Sequence, residues 1–357
     1  MTNLYSIRPK GFNIGNDAIY IGVNHFIRQV FKGSYNVISL PATGKYEGHR
    51  KAGLSSQTIY EVNQFGDGLI IGGGNLYENG ELEVNHTALK ALEKPMMVFA
   101  VSRGKVYNSK KILVDRTDVM TDRDIKAIND KANISLSRDH STKAYVDSLG
   151  SDNLLGGCPT LFMNEIPQHY VPLMDTDKTD ALISIRTPSL MSIPVDYQYN
   201  LRGELLEIIE VLKKHGYKNI KFLCHDHRDI PFAASFTDID YLYTEDIYTY
   251  LTYLRNTRLN VTYRLHSFLP CMAFGVPAIK ISYDQRALSM METVGMDEWN
   301  INMMFDNVLD ELENRLKNIA DLETIKDKLR PTIWQDLKDV ITDSCNQFAE
   351  QVKGSKC

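Results

Sequence analysis

The sequence predicts an α/β fold, and three observations predict it. Short apolar runs recur along the whole chain, each is followed by Gly or polar residues, and a helical period comes next. In the first half the runs place strands at Asn36 to Leu40, Gly68 to Ile71, Met96 to Val101 and Ile134 to Ser137. In the second half they place strands at Ala181 to Ile185, Lys221 to Cys224, Asn260 to Tyr263 and Ala278 to Ser282. The stretch Leu201 to His215 sets Leu201, Leu205, Ile208, Ile209 and Leu212 on one helical face, opposite Glu204, Glu207 and Lys214, so this helix should cover one face of a sheet. Between the halves, GGCPTLFMNEIPQHYVPLMDTDKTD breaks both periodicities. A linker is expected near Pro167 to Asp180, dividing the chain into halves 1–170 and 171–357. At the end, Val308, Leu309, Leu312, Leu316 and Ile319 follow a helical period, and Ile333 to Val352 continues it with only Pro331 between, predicting helices packed on the outside.

A chain of 357 residues has room for two domains that need no disulfide or metal staples. Its 40 Lys and Arg stand against 45 Asp and Glu, a net charge of −5 scattered without blocks, which excludes the basic footprint of a nucleic-acid binder. The five cysteines are odd in number and form no CxxC, which argues against a disulfide framework or zinc finger and for a reducing compartment. The start lacks the apolar core of a leader, and no run approaches the roughly 18 apolar residues of a membrane span. A cytoplasmic protein is expected, free to act peripherally at a membrane on a lipid-linked substrate.

In doubly wound α/β folds ligands collect beyond the carboxyl ends of strands, so chemistry is sought at strand-to-helix junctions. After GLII come Gly72, Gly73, Gly74 and Asn75, where backbone N–H groups are unshielded and a ligand or another backbone can come close; a tight turn is the alternative. The pattern is neither GxGxxG nor a Walker loop. After ISLS, Arg138 precedes Asp139 and Ser141, either of which can cap a helix, so a guanidinium beside a helix N-terminus suits a carboxylate or phosphate, unless Arg138 pairs with Asp139. After LNVTY, Arg264 and His266 stand at the mouth of the helix in FLPCMAFG. A cleft between two such halves would bring an Arg of one and the His of the other to a common anion, and His moves protons near neutral pH. After AIKIS, the turn Tyr283-Asp284-Gln285-Arg286 adds a cation, with an Arg286–Asp284 surface pair as the competing account.

Other groups weigh less. His225-Asp226-His227 lies on an extended segment where adjacent side chains diverge, so no metal is expected there. His25, Glu47, His49 and His86 are scattered polar residues, and Cys158 reads as a packed small residue with no GxSxG elbow nearby. Near the start, Asn13, Gly15, Asn16 and Asp17 form a polar turn, with Asn16 or Asp17 either capping a helix or recognising hydroxyls of an acceptor. Tyr77, Tyr107 and Tyr197 could stack on sugars, but among 19 tyrosines that selects none.

In order along the chain, FNIGNDAI, LIIGGGNL, SLSRDHSTKAYVDSLG with GGCPTLF, and VTYRLHSFLPCMAFGVPAIKISYDQR resemble the polysaccharide pyruvyl transferase family, from Asn13 to Arg286. The resemblance implies two Rossmann-like domains facing across a cleft in the GT-B manner, acceptor side first and donor side second, with a C-terminal helix packing back. It also implies transfer of the enolpyruvyl unit of phosphoenolpyruvate (PEP) to two hydroxyls of a sugar or glycan, giving a pyruvate ketal and phosphate without a further cofactor. Arg138 and His266 match donor-associated positions of the family, Arg286 falls where relatives often have Lys, and Asn16 falls where many have Asp. PEP carries a carboxylate and a phosphate, which Arg138, Arg264, Arg286 and helix N-termini would complement, with Gly73, Gly74, Asn75, Asn13, Asn16, Asp17 and Tyr283 completing the substrate surface. His266 is the candidate proton donor to C3. The rival readings are a GT-B glycosyltransferase with a nucleotide-sugar donor, which would need contacts to base and ribose, and a binding protein without turnover.

Overall fold

Each half builds a parallel sheet covered on both faces: every residue of Gly68–Gly74 and Met96–Val101 in the first half is buried, and so is every residue of Ala181–Ser184 and Ala278–Ser282 in the second. The structure, a computed structural model, describes residues 1–32, 35–45, 51–78, 80–167 and 171–355. Glu47, His49, Cys357 and residues 168–170 of the expected linker lie outside the described residues.

The first half contributes β1 (Thr2–Arg8), β2 (Tyr35–Pro41), β3 (Gly68–Gly74), β4 (Met96–Val101), a short antiparallel hairpin of β5 (Val106–Tyr107) and β6 (Leu113–Val114), then β7 (Ile134–Ser137) and β8 (Leu154–Leu155). Its sheet runs in the order β2-β1-β3-β4-β7-β8, all parallel. The second half contributes β9 (Ala181–Ser184), β10 (Ile220–Leu223), β11 (Tyr241–Leu242), β12 (Leu259–Thr262), β13 (Ala278–Ser282) and β14 (Ile301–Asn302), in the parallel order β11-β10-β9-β12-β13-β14.

All the expected runs are strands, but β3 continues through the three glycines, where Gly72 and Gly74 pair with Phe99 and Val101. Thr2–Arg8 lies outside the expected strands because Asn3, Ser6 and Arg8 interrupt its apolar pattern. It is nonetheless the strand between β2 and β3, with Leu4 through Ile7 buried. The two-residue strands β8, β11 and β14 are too short to carry a period.

Both sheets reverse direction once. The chain goes from β1 out to β2 and returns to β3 on the other side of β1, and it goes from β9 through β10 to β11 and returns to β12 on the other side of β9. The crevice at such a reversal, beyond the carboxyl ends, is where open α/β sheets receive ligands. Asn13, Asn16 and Asn75 follow β1 and β3, while Arg186, Arg264 and His266 follow β9 and β12.

The helix Ile14–Phe31 starts at Asn13, whose Oδ1 accepts from Gly15 N at 3.0 Å. The cap is therefore Asn13, and Asn16 and Asp17 already lie in the first turn. Ile14 N donates to the His225 carbonyl at 3.0 Å, tying this helix to the second half. The C-terminal region holds three helices, Val308–Lys317, Asp321–Leu329 and Ile333–Gly354, rather than the two expected. The last is not peripheral. Trp334, Leu337, Ile341, Cys345, Phe348 and Val352 are buried along one stripe, and it returns to pack on Ile14–Phe31, β7 and β8 of the first half. Among the described residues no helix is long and apolar enough to cross a membrane.

Candidate active site

The two crevices enclose a cavity of about 170 Å³. Asn13, Asn16, Asn75 and Arg138 line it from the first half, and Arg186, Arg264, His266, Tyr283 and Arg286 from the second. Arg116, just after β6, also lines it and reaches across, donating from Nη1 to Ser192 Oγ at 2.6 Å. Five guanidiniums around one cavity require anions, and buried acids of the protein supply some of them.

Arg264 is engaged on two sides: Nε donates to the Ile185 carbonyl at 2.8 Å and Nη2 to the fully buried Asp229 carboxylate. Arg286 is gripped by Asp284, with Nε and Nη2 at 3.1 and 2.5 Å from Oδ2, and by Glu78, whose Oε2 lies 2.9 Å from Nη1. Arg116 makes two bonds of 2.8 Å to Asp118. The other two differ. Arg138 Nε is buried without a hydrogen-bond partner and stands 3.8 Å from Asp139, whose Oδ1 accepts instead from Ser141 Oγ, Thr142 N and Thr142 Oγ1. Arg186 Nη1 is buried without a hydrogen bond, 3.5 Å from Asp226 and 3.9 Å from Asp229, and burial together with Arg264 lowers its pKa to about 10.

His266 completes the cluster. It sits in the first turn of helix Leu265–Phe274, held by Tyr250 OH donating to its carbonyl at 2.7 Å, and its Nε2 is buried with no partner. Gly15 lets the opposite helix approach, since a Cβ there would come within 2.8 Å of His266 Nδ1. Burial, then Arg138, Arg264 and Arg286, hold this imidazole well below its ordinary pKa. Arg138 Nε, Arg186 Nη1 and His266 Nε2 thus bring three unsatisfied nitrogens to one cavity, which is the complement of a compact anion with several acceptor oxygens.

Several expected site residues lie elsewhere. Gly73 and Gly74 do not line the cavity. Gly73 adopts φ +71° and a Cβ on it would lie 2.1 Å from Ile19 Cγ2, so the close approach it permits is that of helix Ile14–Phe31. Gly73→Ala should therefore lower stability by roughly 2–4 kcal/mol through strain and overpacking; a urea midpoint equal to that of the parent would contradict this packing. Asp17 does not reach the cavity either, because its carboxylate binds Arg8 Nη1 at 2.6 Å.

The helix N-terminus after Arg138 is not open to a ligand: His140 N and Ser141 N donate to Thr293 Oγ1 and Ser289 Oγ of the second half at 3.0 and 2.8 Å. Asp284 likewise caps the helix Gln285–Thr293. Helix Leu265–Phe274 lacks a side-chain cap and begins at the cavity wall. Tyr77 is buried against Asn129, Tyr107 packs on Phe305, and Tyr197 bonds the Met304 carbonyl. His86 pairs with Asp124, His25 meets Gln29, and the buried Cys158 meets Thr160. His225 packs on Tyr250, and Asp226 is held by Arg228. Among the described residues no cluster of His, Cys, Asp or Glu could hold a metal ion.

Arg186, Arg116, Glu78 and Asp229 are not marked by any of the motifs above. Arg186 follows the expected strand Ala181 to Ile185 directly, the same signal that selects Arg138, but no glycine or helix cap marks the junction. Glu78 and Asp229 carry no local signal at all, since their importance lies in the arginines they meet.

The sequence model of the family described as polysaccharide pyruvyl transferase matches residues 13–285. No protein of the curated set matches. Among solved structures, UDP-GlcNAc 2-epimerase of Methanocaldococcus jannaschii is 12% identical, with 89% of this chain and 92% of that one covered and a TM-score of 0.54. S. aureus MnaA, solved with UDP, is 11% identical over 91% and 90%, with a TM-score of 0.54. The wall teichoic acid polymerase TagF is 13% identical over 100% and 90%, with a TM-score of 0.50. At such identities the likeness concerns the fold, which is GT-B-like with two parallel sheets and C-terminal helices. The matched span runs from the Asn13 cap through Arg138, Arg186 and the Arg264–His266 turn to Gln285, and on that match the chain belongs to the polysaccharide pyruvyl transferase family.

Proposed function

We propose that the chain transfers the enolpyruvyl unit of PEP to two hydroxyls of a sugar or glycan, forming a pyruvate ketal and releasing phosphate. The observation that carries this reading is the triad of unsatisfied nitrogens on Arg138, Arg186 and His266, which fits a small molecule carrying both carboxylate and phosphate. In the reaction His266 delivers a proton to C3, turning the methylene into a methyl and leaving C2 electrophilic beside the carboxylate. One acceptor hydroxyl adds to C2 and returns its proton to His266. The C2–O bond to phosphate then breaks as the second hydroxyl adds, and that hydroxyl's proton leaves with the phosphate, so atoms and charge balance without another reactant.

The acceptor hydroxyls fit the side-chain amides of Asn16 and Asn75, which line both this cavity and an adjoining one of about 420 Å³ and offer donors and acceptors together. Asn16 is an amide and Asp17 is bound to Arg8, so the base falls to His266 rather than to a carboxylate at this rim.

Calorimetric titration of the protein with PEP and with a panel of nucleotide sugars tests the donor. Saturable PEP binding, followed by phosphate release once a sugar acceptor is added, is the expected result. Binding of a nucleotide sugar with none of PEP would move the chain to glycosyl transfer.

A further inference from the structure

Glu78 comes from the first half, four residues past β3, yet it meets an arginine of the second. Its carboxylate is fully buried, Oε1 accepts from Gly104 N at 2.5 Å, and Oε2 faces Arg286 Nη1 at 2.9 Å. The surrounding backbone is joined in the same place: Lys105 N donates to Gln285 Oε1 at 2.9 Å, and Gln285 N donates to the Lys105 carbonyl at 3.1 Å. Gly104 leaves room for the stem of the Arg286 side chain, since a Cβ there would lie 2.4 Å from Arg286 Cγ.

We propose that Glu78 is a positioning residue for pyruvyl transfer: by holding Arg286 Nη1 from the opposite half, it aims the remaining N–H groups of that guanidinium at the donor and makes the anion site complete only when the two halves are docked. The inference rests on the reading of the cavity as the PEP site. Its physical basis is the shape of arginine. One N–H on Nε and one on Nη2 go to Asp284, while Nη1 stands 2.9 Å from Glu78 Oε2 as an ion pair without hydrogen-bond geometry, so N–H groups of both terminal nitrogens remain for the donor. A lysine at this position has a single ammonium and cannot span two carboxylates and a ligand with fixed geometry. Glu78 therefore matters to this chain because residue 286 is Arg. Without Glu78 the fork is held from the Asp284 side alone and can turn away from the donor.

The test uses the full chain with Glu78→Gln, Arg286→Lys and the double variant, measuring KM for PEP, kcat and melting temperature. Glu78→Gln should raise KM for PEP roughly 10-fold with a smaller change in kcat, and should add less than about 2-fold in the Arg286→Lys background, because the ammonium does not use Glu78. Gly104→Ala, which displaces Arg286 without altering any charge, should raise KM in the same direction and serves if Glu78→Gln does not fold. A carboxylate that merely supports the fold would lower the melting temperature and leave KM unchanged, and that result overturns the inference. Absence of PEP binding by the parent protein would instead overturn the donor reading, and this inference with it.

Discussion

Replacing His266 by Gln is expected to slow ketal formation by on the order of 10² to 10⁴ while PEP still binds, because the substitution keeps a polar side chain but removes the proton carrier. In the free protein, burial and the guanidiniums of Arg138, Arg264 and Arg286 keep the imidazole neutral at neutral pH. A donor bearing carboxylate and phosphate brings negative charge against those same arginines and so favours the imidazolium. Between the depressed pKa of the free protein and the higher value in the complex, binding takes up a proton, so PEP affinity falls as pH rises across that window and levels off above it. Calorimetry in buffers of different ionisation heat, above the titration range of the donor's own phosphate, measures the uptake. It should vanish in His266→Gln. Undiminished turnover in that variant would remove His266 from the chemistry and leave the carboxylates and tyrosines of the cavity as the proton carriers to test.

Alanine at Arg138 or Arg186 should have a different consequence from alanine at Arg264, although all three line the cavity. Arg138 and Arg186 carry buried nitrogens that the protein leaves without hydrogen bonds, so each should contribute a charge-assisted bond to the donor. Such a bond is worth about 1.5–3 kcal/mol, which corresponds to a loss of roughly 10- to 150-fold in PEP affinity with little change in stability. Arg264 instead neutralises Asp229, which is fully buried and also accepts from Thr187 N at 2.9 Å. Removing one member of such a pair costs about 3–5 kcal/mol, so Arg264→Ala should melt early whether or not PEP is present. Urea denaturation and PEP titration of the three variants side by side decide the matter. An Arg264→Ala protein as stable as the parent but blind to PEP would reverse the roles assigned to these arginines.

Much of the scaffold could be read directly. Met96–Val101 matches its expected bounds end to end because a strand covered on both faces favours an uninterrupted apolar run, and Ile134–Ser137 and Ala278–Ser282 match theirs with Ser135 and Lys280 buried within them. Thr2–Arg8 escaped the same rule because it ends in residues that serve the carboxyl edge of the sheet, where Arg8 turns to Asp17. Arg138 and His266 were found because each stands where a strand meets a helix start. Gly73 was found as a place of close approach, but a glycine reports only that something comes near; Ile19 rather than a ligand does so.

By itself the sequence determined the α/β class, eight of the strands, and the cations Arg138, Arg264 and Arg286 beyond strand ends, since these follow from local periodicity and from the junctions between elements. Only the tertiary structure decided which of those cations remain available. Arg264 is neutralised by Asp229 after β10, and Arg286 by Asp284 beside it and by Glu78 after β3 in the other half, while Arg138 and Arg186 keep nitrogens unsatisfied at the cavity. The reason is physical: a buried charge is set by whichever opposite charges stand within a few ångströms, and although Asp284 lies near Arg286 along the chain, Asp229 and Glu78 reach their arginines only through the fold.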